Sequence, residues 1–174
     1  MPRVRRLGAQ DWQLLKNIRL EMLADTPMAY VETLEAARRQ TDSQWRERAA
    51  TMSGEGSITL VADGGADGSR LCALMRVVAT PPQEPRNLRR AMLLSVYVAA
   101  EHRGLGLADE LLECACKAAR LELGAESLEL GVHEDNARAM AFYARHGFHA
   151  TGGSRKYPQD TSKLELVMER RLEA

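Results

Sequence analysis

The chain has 174 residues, 45% hydrophobic and 28% charged, and its 24 basic and 24 acidic side chains cancel to a formal net charge of zero. Such a length holds one domain with a core of its own, and the composition excludes a disordered or fibrous chain. A neutral chain offers no general attraction for nucleic acid or an anionic membrane surface, and the clusters Arg3, Arg5, Arg6 and Arg86, Arg89, Arg90 read as solvated surface.

Val4 to Leu7 fits a short first strand. Asp11 is a good helix cap, and behind it Trp12, Leu15, Ile18, Met22 and Leu23 follow helical spacing, with Arg19 interrupting the apolar stripe. Asp25-Thr26-Pro27 ends that helix. A second helical region covers about 33–50 and can restart at Thr41, where Thr41 and Gln44 fit a capping box. Ile58 to Ala62 and Leu71 to Val78 read as strands joined by the turn "DGGADGSR", hence an antiparallel hairpin. "TPPQEPRNLRR" is a proline-rich exposed loop, and Met92 to Val98 a buried strand. The spacing predicts a helix from Leu107 to about Leu123, a strand from Ser127 to Val132 and a short helix from Asn136 to about His146. Phe148 to Thr151 and Leu164 to Glu169 are the last strands, with a polar loop between them. The order β-α-α-β-β-β-α-β-α-β-β is that of a mixed α/β single domain, residues 1–174.

Cys114 and Cys116 point to different faces of a helix, and Cys72 lies in an apolar run, so reduced thiols are expected. No His/Cys/carboxylate cluster has zinc spacing, and no metal is expected. The start "MPRVRRLGAQDW" has no apolar signal core and no run is long enough to span a bilayer, so a cytoplasmic protein without nucleic-acid or membrane partners is expected.

The stretch "LSVYVAAEHRGLGLADELLE" feeds a strand into a helix through a glycine-lined corner. The first amides of a helix have no intrahelical partner and carry partial positive charge, so such a corner can bind phosphate; it can equally be a plain turn using glycine for its φ angle. A P-loop is excluded because no lysine follows the second glycine. A dinucleotide fingerprint has Gly104 and Gly106 but Asp109 where Gly or Ala is needed.

Arg103-x-x-Gly106-x-Ala108 resembles the [QR]-x-x-G-x-[GA] signature of the GNAT superfamily of N-acetyltransferases. "VHEDNARAMAFYARHGF", about 30 residues on, resembles that superfamily's second signature through Asn136, Ala139, Tyr143, Gly147 and Phe148, while "IRLEML" and "LELVMER" are similar to its first helix and last strand. The resemblance implies a mixed, mostly antiparallel sheet of about seven strands, its parallel fourth and fifth strands splayed, flanked by about four helices. It implies acetyl-CoA as co-substrate and a primary amine of a small molecule or peptide as acceptor, attacked directly through a tetrahedral intermediate. A non-catalytic acyl-CoA-binding module of the same fold stays open, as does a homodimer.

By position, the resemblance implies pantetheine bonds along Val96, Tyr97 and Val98, and a pyrophosphate held by Arg103, Gly104, Leu105, Gly106, Leu107 and Ala108, chiefly through main-chain N–H groups. The Arg103 and His102 side chains either reach a phosphate or are solvated. Asn136 caps the last helix and can also touch the pantetheine arm. Tyr143, by itself a packing residue, is implied to direct its hydroxyl at the CoA sulfur, where a phenol can protonate the departing thiolate. The strand "AMLLSVYVA" lacks the glutamate that serves many members as general base. Glu32, Glu35, His133 and Glu134 remain as candidates, with Ser95 able to hold a relaying water. Glu35, one turn after Glu32, is favoured as catalytic group and as contact for a cationic amine, and Tyr30 and Trp45 could hold the acceptor's apolar body.

Overall fold

The computed structural model describes residues 1–82 and 88–173. Arg86 and the centre of the proline-rich loop lie outside the described residues. Strands β1 (Val4–Arg6), β2 (Ser57–Asp63), β3 (Leu71–Ala79), β4 (Arg90–Val98), β5 (Ser127–His133), β6 (His149–Tyr157) and β7 (Asp160–Arg171) form one sheet in the order β1-β2-β3-β4-β5-β7-β6. Only the β4–β5 pair is parallel. The helices are α1 (Trp12–Asp25), α2 (Leu34–Arg38), α3 (Asp42–Met52), α4 (Leu107–Leu121) and α5 (Ala137–Arg145). No described helix is long and apolar enough to cross a membrane.

The expected helix over 33–50 is two helices. Thr33 caps α2 by accepting from the Ala36 N–H, and Thr41 and Gln44 close a reciprocal capping box at the start of α3. Asp11 occupies the cap position of α1 but does not cap it: its carboxylate accepts from the Gly8 N–H (2.8 Å) and from Arg5 (2.9 Å). Arg5 also holds Asp63, so it ties β1 to β2 and is no free surface charge.

Helix α4 buries Leu107, Leu111, Leu112, Ala115 and Ala119 against β2 and β3. On the other face α1 and α3 pack together, burying Leu15, Ile18, Met22 and the whole of Trp45. Each such side chain contributes about 1.5–3 kcal/mol on leaving water. Trp45 is therefore core and offers no surface to an acceptor, against expectation. Cys72, Cys114 and Cys116 are free thiols; burial pushes Cys116 up to about 11.

The last two strands are longer than their sequence suggests. The expected polar loop is the outer half of a hairpin, β6 and β7 pairing from His149↔Glu169 to Tyr157↔Asp160. β6 is an edge strand with every residue but Tyr157 exposed. Its main-chain ladder and the Tyr157 anchor hold it, so no apolar alternation marks it.

Candidate functional site

β4 and β5 pair only from Arg90–Met92 to Ser127–Glu129. Beyond Met92 the strands part. The register of β4 against β3 then shifts between Leu74 and Arg76, and Ser95 adopts φ +56°. This is a β-bulge, which bends a strand and re-aims its groups. Two side chains hold it: Arg19 donates to Ser95 Oγ (3.1 Å), and the Tyr30 hydroxyl donates to the Val96 carbonyl (2.7 Å). Burial pushes the Tyr30 hydroxyl up to about 12, so it stays a donor.

After the bulge, the Ala99 N–H donates to the Cys72 carbonyl (2.8 Å). In an antiparallel ladder the neighbouring residue turns its amide groups the other way, so Val98 faces the gap. Arg103 Nε confirms this by donating to the Val98 carbonyl at 2.8 Å. The rest of the Arg103 guanidinium pairs with Asp25 and lies 5.7 Å from the Tyr97 ring centroid. Its side chain is thus bound back into the protein. Hydrogen bonds from Arg103 and Tyr97 hold the Asp25 carboxyl below its ordinary value. His102 Nδ1 is buried without a hydrogen-bond partner, 3.8 Å from the nearest Glu101 oxygen.

The glycine corner follows. Gly104 and Gly106 have φ of +74° and +86°, and Gly106 immediately precedes α4. A Cβ at either position would meet no protein atom within 4 Å. The glycines thus serve the backbone conformation and leave the space above it open. Among the described residues, the N–H groups of Gly104, Leu105 and Gly106 meet no protein acceptor. Leu105 is exposed and Leu107 buried, so what these residues offer the corner is main chain. Donor groups converging at a helix N-terminus over open space suit an anion.

A cavity of about 1130 Å³ runs from this corner, through the β4–β5 gap, to α1 and α3. Val96, Tyr97, Val98, Arg103, Gly104, Gly106, Leu107, Ala108, Asn136 and Tyr143 all line it. Asn136 Oδ1 caps α5 by accepting from the Ala139 N–H (3.2 Å), which leaves the side-chain NH₂ for the cavity. Tyr143 is 7% exposed, its ring edge-on to Phe142 and Phe148. Its hydroxyl makes no hydrogen bond to a described residue, and burial, then the neighbouring Tyr30, raise its pKa above the ordinary phenol value. It remains protonated throughout the neutral range.

The proposed bases fare differently. Glu35 points away: its side chain is 75% exposed, it pairs with Arg39 one turn on, and it is not part of the cavity wall. The expectation that Glu32 and Glu35 share a cleft fails because the Thr33 cap starts a new helix between them. Glu32 does face the cavity, but Arg19 (2.8 Å) and Arg48 (2.9 Å) hold it. Burial pushes its pKa up; the hydrogen bonds from Arg19 and Arg48 outweigh that and keep it below the usual carboxylate value. His133 lines the cavity, but its Nδ1 accepts from the Asp135 N–H (3.0 Å), which places the neutral ring's proton on Nε2 and leaves no free lone pair. Glu134 accepts from the Leu164 N–H within β7 (2.9 Å), while its own N–H donates to the Leu164 carbonyl.

The sequence reading missed Arg48 and Arg76, both in the cavity wall. Arg76 left a signal, an arginine in the apolar strand "LCALMRVVA"; Arg48, in the charged stretch "QWRERAA", left none. No group of three or more His, Cys, Asp or Glu among the described residues could hold a metal ion.

The description of the acetyltransferase (GNAT) family matches residues 20–148. The chain is similar to the L-amino acid N-acetyltransferase AaaT of Escherichia coli (strain K12), 25% identical over 154 residues, covering 88% of this chain and 86% of that protein. A GCN5-related N-acetyltransferase of Kribbella flavida superposes with a TM-score of 0.72 at 26% identity over 98% of this chain and 97% of that one. A Salmonella typhimurium protein solved with its cofactor acetyl-CoA shares the fold, with a TM-score of 0.73 at 18% identity over 100% and 95% of the two chains. Acetyl-CoA is the co-substrate of the family. With a family match spanning most of its length and the matching glycine corner and splayed strands, the chain belongs to the GNAT family of acetyltransferases.

Proposed function

We propose that the protein transfers the acetyl group of acetyl-CoA to a primary amine by direct attack. The observation that carries this reading is the corner, whose unpartnered Gly104–Gly106 amides open onto a cavity that continues to the Tyr143 hydroxyl. The pyrophosphate takes those amides together with the start of α4, from Leu107 and Ala108. The Val98 N–H and the bulged Val96 segment bind the pantetheine arm, with the Asn136 NH₂ beside it.

The amine nitrogen adds to the thioester carbonyl, and a backbone N–H between Val96 and Val98 receives the developing oxyanion. Collapse breaks the C–S bond, and Tyr143 donates its proton to the departing sulfur. The amine's own proton goes to water, because each acid or histidine weighed as a base is clamped, turned outward or already bonded. In consequence, kcat/KM should rise with pH in step with the free-amine fraction of the acceptor. Two acceptors of different pKa test this: their profiles should shift with the acceptor, and a common enzyme pKa would show that a protein base exists.

Native mass spectrometry with acetyl-CoA, CoA and NAD, followed by thiol release over an amine panel, tests the function. Acetyl-CoA and CoA should bind, NAD should not, and thiol release should require an amine. Binding with no release for any amine would support the second reading, a non-catalytic acyl-CoA module, which the lack of a free base favours.

A further inference from the structure

We propose that the α3 end of the cavity is an anion subsite in which Arg76, beside Arg48, binds an acid group carried by the amine acceptor. The proposal rests on the acetyltransferase reading and adds the acceptor's chemical class: an amine that also bears a carboxylate or a similar oxoanion.

Arg76 stands in the middle of β3, opposite Leu94 of β4, one residue before the bulge at Ser95. Its Nε donates to Ser57 Oγ (2.8 Å), and Ser57 in turn donates to the Met52 carbonyl at the end of α3 (3.1 Å). That chain fixes the guanidinium and leaves both Nη groups to the cavity. No carboxylate among the described residues pairs with it. Its charged neighbours are Arg48 and Arg19; with burial as the larger effect, their charges hold its pKa below the ordinary value.

The local charge does not balance. Three guanidinium groups, Arg19, Arg48 and Arg76, face this end of the cavity with one carboxylate among them, Glu32, and its two oxygens already serve Arg19 and Arg48. Across the cavity Glu165 is paired with Arg155, and His133 brings no negative charge. Glu47 lies exposed at the rim without an ion pair. A half-buried, uncompensated guanidinium is costly to keep. A planar carboxylate fits its free fork with two parallel N–H···O bonds. Leu94, 36% exposed and beside Arg76 on the sheet, gives such an acceptor an apolar surface as well.

The experiment compares matched acceptors at saturating acetyl-CoA: L-amino acids of varied side chain, each against its own primary amide. The amide's amine is less basic and so more available at neutral pH, which works against the expected result. Wild type should prefer the acids by roughly 10–100-fold in kcat/KM, the loss expected for one charged hydrogen-bonded partner. Arg76→Gln should lose that preference, acid rates falling by far more than amide rates while acetyl-CoA affinity is kept, and Arg76→Lys should restore part of it. Equal use of acid and amide by wild type, or an Arg76→Gln protein that keeps the preference, overturns the subsite. A second readout needs no turnover: calorimetry of N-acetyl amino acids and their amides on the CoA-saturated protein. The acids should bind more tightly, and only in proteins with a cation at position 76. If no acid exceeds its amide, the subsite is wrong whether or not the protein is an enzyme; acetyl-CoA binding without thiol release would count against the transferase reading alone.

Discussion

At the α4 end of the cavity the chemistry comes from the main chain: the amides of Gly104 to Gly106, opened by two left-handed glycines and aided by the helix dipole. At the α3 end it comes from side chains on four elements, Arg19 of α1, Glu32 before α2, Arg48 of α3 and Arg76 of β3. The first arrangement is local in sequence and indifferent to most side chains, so it suits a co-substrate that never changes. The second is assembled from side chains far apart in the sequence, so it suits recognition of the functional groups of a second molecule, on the proposed reading the acceptor. Tyr143 lines the same cavity, and in the proposed reaction it serves the acetyl group's passage from one end to the other.

The largest expected effect is at that junction. Tyr143→Phe keeps the ring packed on Phe142 and Phe148 and removes only the unpartnered hydroxyl. Turnover should fall about 10²–10⁴-fold, with acetyl-CoA affinity barely changed by calorimetry. Full activity in the variant would make Tyr143 a packing residue and remove the junction from the comparison.

Next comes the side-chain end. Glu32→Gln leaves Arg19 and Arg48 without their shared anion. The Glu32 side chain keeps 19% exposure, so the cost should be about 2–3 kcal/mol, below that of breaking a fully buried pair. Urea midpoints would show it. The sign of its pH dependence follows from its lowered folded pKa. The contribution is complete above the unfolded value of about 4.5 and is lost as pH falls through the folded value. Wild type should therefore lose stability on acidification below that point, with Asp11 and Asp25, also lowered, acting in the same direction. The Gln variant should show a shallower acid slope. An unchanged slope would mean the Arg19–Glu32–Arg48 cluster is not formed in solution.

The backbone end calls for a different control, because any side chain at Gly106 is strained by its φ of +86°. Gly68 provides it: φ is +69°, and a Cβ there also meets nothing within 4 Å. Alanine at either position should cost about 1–2 kcal/mol of stability. Only Gly106→Ala should also weaken CoA binding, about tenfold, by placing a methyl over the amides. Equal CoA affinity in the two variants would reduce the corner to a plain turn.

The same contrast explains what could be read from the sequence. Gly104 and Gly106 announce the corner because a left-handed backbone leaves a residue-specific mark, and Asn136 announces the α5 cap for a similar reason. The arginine cluster leaves only the oddity of a charge inside an apolar stripe or strand, at Arg19 and Arg76. Nothing local tells that Glu32 will be gripped by residues 13 and 16 positions away. The β6–β7 hairpin was partly hidden for a third reason: an exposed edge strand is defined by its main-chain ladder, which has no side-chain period.

The smallest effect is expected at Glu35, where the sequence placed the base. Helical spacing puts residues 32 and 35 on one face only if one helix contains both, and here Thr33 is the cap between them. Glu32 therefore turns inward while Glu35 meets Arg39 in solvent. An exposed i,i+4 pair contributes about 0.3–0.5 kcal/mol, and Glu35→Gln should shift the unfolding midpoint by no more than that. Kinetically, a base would lose the acidic limb of kcat/KM, and a binding contact would raise KM while kcat is kept. Neither change is expected: kcat, KM and the pH profile of Glu35→Gln should match wild type within about twofold for every acceptor that turns over. A raised KM would mean that the 33–38 segment folds over the cavity when the acceptor is bound, and the acceptor end would then extend beyond the arginine cluster to the outer turn of α2.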